Sequence, residues 1–251
     1  MPEGRAMSVV TVEERGPISI IAINRPEKLN AINKAVAIEL QEAFAAFDRS
    51  AQRVAILTGT GGRAFSAGAD VTDLPELWRC VPTVGIATEK PIIAAVSGWC
   101  IGGGLVMAMM CDLLVAAQGA RFSYPEGKVG ITGGMIAGLA ARIPHKIAME
   151  LMLVGEPISA ERAYAAGFAN RVVPDGSEVA EAVALAEKVV ELAPLALATM
   201  KRFVNDGVLP KGPAELAARH GAELAAVRNS ADAAEGVRAF RERRKPRYQG
   251  R

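Results

Sequence analysis

Phe65-Ser66-Ala67-Gly68-Ala69-Asp70 follows the apolar run Val54-Ala55-Ile56-Leu57. Further on, Gly102-Gly103-Gly104 follows Pro91-Ile92-Ile93-Ala94-Ala95-Val96 and leads into Leu105-Val106-Met107-Ala108-Met109-Met110. These two stretches decide the fold. In each, a strand of the buried type ends in residues with little or no side chain, where backbone N–H groups can approach a ligand closely. Two such turns side by side aim two donors at one oxygen, the arrangement of an oxyanion hole. The glycine triplet also opens a predicted helix, whose N-terminal dipole favours negative charge.

Outward from these turns the pattern is α/β. Ser8 to Ile23 alternates apolar and polar residues around Gly16-Pro17, which reads as a hairpin. Lys34 to Asp48 places apolar residues at helical spacing. Strands recur at Val54–Thr58, Ile92–Val96 and Leu113–Ala117, and their repetition with crossovers argues for an α/β core. From Glu178 the character changes to helices alone: 178–192, 194–206, 213–229 and 231–244, punctuated by Pro194, Gly207, Pro210, Gly212 and Pro213.

The chain of 251 residues is 51% hydrophobic and 22% charged, the composition of a globular protein with an ample core. Its net charge of +2 and the lack of a basic patch interleaved with aromatics argue against a nucleic-acid partner. Cys80, Cys100 and Cys111 have no metal-ligand spacing and read as buried, reduced thiols of a cytoplasmic protein. The N-terminus carries Glu3, Arg5, Glu13, Glu14 and Arg15, so no signal peptide is expected. Pro91 to Cys111 is 21 residues without a charge, long enough to cross a bilayer. Ser97-Gly98 and the glycine triplet interrupt it, so a buried strand–turn–helix is expected and no membrane partner.

Several motifs in order resemble the enoyl-CoA hydratase/isomerase (crotonase) family. They begin at Asn24-Arg25-Pro26-Glu27-Lys28-Leu29-Asn30-Ala31 and include both turns, Lys90 to Gly98 and Cys111-Asp112. They continue through Phe122-Ser123-Tyr124-Pro125-Glu126, Val129-Gly130-Ile131, Ala148-Met149-Glu150, 155–160 and 165–173. The resemblance implies a crotonase-like spiral of ββα turns over residues 1–192 that binds acyl-CoA. It also implies a helical oligomerisation region, 193–251, that builds a homotrimer or homohexamer. The implied substrate is an acyl-CoA, with no cofactor beyond the coenzyme A of that substrate.

By the same resemblance, Ala67 and Gly103 are the two oxyanion-hole donors through their backbone N–H groups, with Gly68, Ala69, Asp70 and Gly102 around them. Their plainer reading is as tight turns that need small residues. Glu126 matches the general acid/base glutamate; the alternative is a solvated turn residue. An apolar pocket raises a carboxyl's pKa towards neutrality, as proton transfer requires. Lys28 matches a position lining the coenzyme A groove, where a cation meets phosphate. Lys245 and Tyr248, in the basic end Arg241 to Tyr248, match residues that reach the coenzyme A phosphates. Both ends could equally be solvated surface.

One position departs from the hydratase pattern. Hydratases of the family carry a second glutamate three residues after the middle glycine, and Val106 stands there. Adding water across a conjugated double bond needs one group to activate water and another to protonate the α-carbon. A double-bond isomerisation needs one base that moves a proton between carbons. A replacement carboxylate could come from Asp70, Asp73 or Glu76. Glu150, His145 and His220 read as structural or surface residues. A serine hydrolase lacks its Gly-x-Ser-x-Gly elbow here, and Gly59-Thr60-Gly61-Gly62 lacks the ending of a phosphate loop. Hydratase chemistry with another carboxylate and a non-catalytic acyl-CoA-binding relative remain as alternative expectations.

Overall fold

The computed structural model describes residues 8–251. A hairpin opens the chain, β1 (Val10–Arg15) and β2 (Ile18–Ile23), antiparallel and turned at Gly16, whose φ of 57° suits glycine. Helix α1 (Lys34–Arg49) follows, capped by the Asn33 side chain accepting from the Val36 N–H at 3.0 Å. Then come β3 (Val54–Gly59), β4 (Ala64–Ser66), β5 (Ile92–Val96), β6 (Trp99–Ile101), α2 (Gly103–Met110), β7 (Leu113–Ala117) and β8 (Arg121–Ser123). The short α3 (Glu126–Val129), α4 (His145–Val154), β9 (Ile158–Ser159), α5 (Ala160–Ala165) and β10 (Arg171–Val173) complete the core.

Six strands form one sheet in the order β1-β2-β3-β5-β7-β10, parallel from β2 onward. Four short strands form a second sheet in the order β4-β6-β8-β9. The chain winds between them. From β3 it crosses to β4, from β5 to β6, and from β7 to β8, so that each circuit lays one strand in each sheet. This is the expected spiral.

The apolar runs of β2, β3 and β5 do not alternate because the large sheet is covered on both faces. Ile21, Ile23, Leu57, Ala94 and Val96 pack towards α1 and α2. Ile18, Ile20, Val54, Ile56, Ile93 and Val115 pack beneath α6 (Glu178–Val190), which contributes Ala182 and Ala186. Every residue of α2 is buried, which accounts for its lack of charge. The uncharged stretch from Pro91 thus resolves into β5, β6 and α2. No helix among the described residues is long and apolar enough to cross a membrane.

Asn30 pins the strand ends to the segment before α1. It is fully buried, with φ at 55°. Its Nδ2 donates to the carbonyls of Thr60 at 2.9 Å and Ala64 at 2.7 Å, and its Oδ1 accepts from the Arg25 N–H at 3.0 Å. Asn30→Ala strands these groups without partners and is expected to cost about 2–4 kcal/mol of stability in denaturant unfolding. A loss below about 0.5 kcal/mol would refute this role.

The remaining helices are α7 (Pro194–Phe203), α8 (Pro213–Arg228) and α9 (Ala231–Arg241), with a wider π turn over Val204–Val208. The Ala-rich face of α8 is partly used within the chain: Ala225 is buried and Ala214, Ala218 and Ala222 are half-buried, while Ala217 and Ala226 are exposed. These helices leave large apolar side chains in solvent, among them Leu195, Phe203, Leu224 and Phe240, the last 85% exposed.

Candidate active site

The two turns meet. Gly68, at φ 88°, faces the second turn so closely that a methyl group built on it would lie 2.9 Å from the Ile101 carbonyl oxygen and 3.3 Å from the Gly103 nitrogen. A methyl on Gly102, at φ 53°, would lie 4.0 Å from Gly68 Cα and 3.3 Å from Glu126 Oε1. Glycine at these positions lets two backbones and a carboxylate share one small space. Gly104 serves the same end from behind: a methyl there would strike Ser66, at 2.8 Å from its Cβ, so α2 seats directly on β4.

The N–H groups decide which residues can donate. Gly103 is the first residue of α2, where no helical acceptor exists for its N–H. In the first turn the expectation for Ala67 needs correction. The Ala67 N–H donates to the Leu29 carbonyl at 2.9 Å, and the Gly68 N–H donates to Ser66 Oγ at 3.1 Å. The next residues pair with the segment before α1: Ile32 N–H donates to the Gly68 carbonyl and Asp70 N–H to the Ile32 carbonyl, each at 2.8 Å. The Gly68 carbonyl points at Ile32, and across a trans peptide the next N–H points the opposite way, so the Ala69 N–H is turned away from Ile32. It has no acceptor among the described residues. Ala69, not Ala67, therefore carries the free donor.

Glu126 begins α3 and is half-buried. Its Oε2 accepts a hydrogen bond from the Tyr124 hydroxyl and a longer one, 3.4 Å, from the Gly133 N–H. Burial, with Glu126 adding to it, pushes the Tyr124 phenol well above its ordinary range, so Tyr124 stays protonated and donating.

Val106 lies one turn into α2, 2% exposed and part of the main core, so no carboxylate stands at that place. The acids considered as replacements are engaged elsewhere. Asp70 accepts from the Thr72 hydroxyl and N–H and pairs with Arg25 at 3.2 Å, and these partners hold its carboxyl below the usual range. Asp73 pairs with Lys34 at 3.3 Å, and Glu76 with Arg79 at 2.7 Å. Glu150 is bound by Arg162. Cys80 is buried and its thiol is pushed up to about 12 by desolvation, which makes it inert as a nucleophile.

Lys28 is exposed beside the first turn, next in sequence to the Leu29 whose carbonyl takes the Ala67 N–H. Lys245 and Tyr248 are not brought there. Glu235 binds Arg238 at 2.6 Å, Arg244 at 2.5 Å and the Arg247 N–H at 3.0 Å, and Asp232 takes the Gln249 and Gly250 N–H groups. These bonds fold the tail along α9. Among the described residues, no hydrogen bond or ion pair joins Lys245 or Tyr248 to the turns or to Glu126.

Next to Glu126 opens an apolar recess of about 380 Å³, lined by Tyr124, Ile131, Thr132, Ile136, Ala137 and Met152 and by no charged side chain. A larger cavity of about 650 Å³ lies at the other end of β5, against α7. Its lysines are committed to structure: Lys90 to the Phe47 and Ser50 carbonyls, Lys201 to Asp112.

Residues 13–251 match the family described as enoyl-CoA hydratase/isomerase. The chain is similar to the (E)-benzylidenesuccinyl-CoA hydratase of Thauera aromatica, at 33% identity over 96% of this chain and 99% of that one. To the carnitinyl-CoA dehydratase of Salmonella typhi it is 35% identical, over 94% and 96%. Among solved structures, an enoyl-CoA hydratase from Mycobacterium tuberculosis H37Rv superposes with a TM-score of 0.76 at 39% identity, covering 97% of this chain and 100% of that one.

Proposed function

The chain belongs to the enoyl-CoA hydratase/isomerase family of acyl-CoA enzymes, and from that premise we propose that it isomerises an enoyl-CoA with a single carboxylate, Glu126. The observation that carries this reading is the buried Val106 at the second carboxylate's place, with Asp70, Asp73 and Glu76 all held by cations. The thioester oxygen sits between the N–H groups of Ala69 and Gly103. Glu126 takes a proton from C2 of a 3-enoyl thioester, and the C–H electrons move into the C1–C2 bond, placing negative charge on that oxygen. When the carbonyl re-forms, the C2–C3 double bond forms and the C3–C4 π electrons take the proton back from Glu126 at C4. The carboxylate is regenerated, so no cofactor or second reactant is needed. Coenzyme A lies along Lys28, and an uncharged acyl end suits the recess at Tyr124, Ile131 and Met152.

The second reading is hydration or dehydration, favoured by the activities in the relatives' names. The purified enzyme, offered a 3-enoyl-CoA and a 2-enoyl-CoA, is expected to form the conjugated double bond faster than it consumes it. Fast hydration by the unmodified enzyme would end the single-carboxylate reading.

The exposed apolar faces of α7 to α9 support self-assembly, read with the family resemblance as a homotrimer or homohexamer. The free thiols of Cys80, Cys100 and Cys111 suit the cytoplasm. Removing the chain from Pro213 onward is expected to leave aggregated or unstable protein in sedimentation and light scattering. A well-behaved monomer at micromolar concentration, with or without these helices, would contradict the assembly.

A further inference from the structure

Tyr124 is 4% exposed, and its hydroxyl meets two partners, Glu126 Oε2 and, at 3.0 Å, Thr132 Oγ1. The Thr132 oxygen in turn accepts from the Gly134 N–H at 3.0 Å. An ionised carboxylate only accepts, so the Tyr124 proton points at Glu126, and the Thr132 proton must then point at Tyr124. The three donors form a chain directed one way, each polarising the next towards the carboxylate. With the Gly133 N–H added, Oε2 receives two donors while Oε1 faces Gly102.

We infer that Tyr124 is a positioning residue for Glu126: by occupying Oε2 it leaves Oε1 as the one oxygen that carries protons, on the side of the glycine turns. The inference rests on Glu126 acting as the base. It makes the proton shuttle one-sided, with C2 and C4 of the substrate served by the same oxygen from the same face. The proton that leaves C2 is then the one delivered to C4, unless it exchanges with water first. Tyr124 keeps its own proton throughout. Without the hydroxyl, only the long Gly133 bond still holds Oε2, so the carboxylate turns more readily and its oxygens share the load, with more time for exchange.

Two measurements on the full-length protein test this. The first follows exchange of the α-protons of butyryl-CoA in ²H₂O, which needs enolate formation but no isomerisation. The second follows a 3-enoyl-CoA deuterated at C2 and counts the label carried to C4. Tyr124→Phe keeps the ring and removes the hydroxyl. It is expected to slow exchange by about 10- to 100-fold, with KM within about threefold, and to lower the carry-over of label. A folded Tyr124→Phe protein with unchanged exchange and carry-over would overturn the inference. Should that variant fail to fold, Thr132→Val decides at an exposed position: the inference expects slower exchange, and an unchanged rate would overturn it. A wild-type enzyme that exchanges butyryl-CoA but does not isomerise would remove the isomerase reading, while the comparison of exchange rates would still judge Tyr124.

Discussion

Glu126→Gln is expected to lower turnover by about 10²–10⁴-fold while leaving the affinity for a non-reacting acyl-CoA little changed. The amide has the carboxylate's shape and keeps an oxygen for the Tyr124 hydroxyl and the Gly133 N–H to bond. What it loses is the ability to take a proton. The loss therefore falls on the chemical step and not on binding, so it is read in kcat with binding measured separately by calorimetry. Near-normal turnover in a folded Glu126→Gln protein would transfer the base to another residue. Asp70, Asp73 and Glu76, the acids that follow the first turn, are each paired with a cation and are poorly placed to take over that role.

Gly103→Pro comes next in size, at about 100- to 1,000-fold in turnover. Proline removes the N–H that stabilises the developing oxyanion, yet it is tolerated in the first turn of a helix, where that N–H has no internal partner. Added bulk is a separate effect, since a methyl at Gly103 would press on Leu77 Cδ1 at 2.9 Å. Gly103→Ala isolates it. Alanine keeps the donor and asks only that the end of a flexible leucine move, so its loss is expected to be a small fraction of proline's. Equal losses in the two variants would assign the effect to crowding and remove Gly103 as a donor.

Strands β3, β5 and β7 were legible because each is an apolar run bounded by turn residues. β5 and β7 fall at the expected residues, and β3 extends by Gly59. The strands of the small sheet are two or three residues long, too short for any period to register. Helix α7 ends at Phe203 because the following residues widen into a π turn, which helical spacing alone does not reveal. At the site, both turns stood out by residue type, and Glu126 through the resemblance of its motif to the family. The choice between Ala67 and Ala69 did not, because it depends on which carbonyls the segment from Leu29 to Ile32 presents. Tyr124 lay within the motif that drew attention to Glu126. The available signal was its spacing of two from the glutamate across Pro125, a residue that fixes the local turn. Arg25 and Asn30 were likewise visible as motif letters, but their roles rest on contacts distant in sequence.

The sheet that is covered on both faces has a consequence for the order of assembly during synthesis. Lys28, both glycine turns, Tyr124, Glu126 and Thr132 all leave the ribosome before α6 does. Until Ala182 and Ala186 arrive, one apolar face of the sheet, Ile18, Ile20, Val54, Ile56, Ile93 and Val115, has nothing to lie against. A nascent chain at that stage holds every atom of the proposed chemistry and yet presents a surface prone to clumping, the usual hazard of slowly formed parallel sheets. A fragment cut just after Thr132 is thus a poor minimal enzyme. Whatever protects the chain during its synthesis must act on that open face before the covering helix docks.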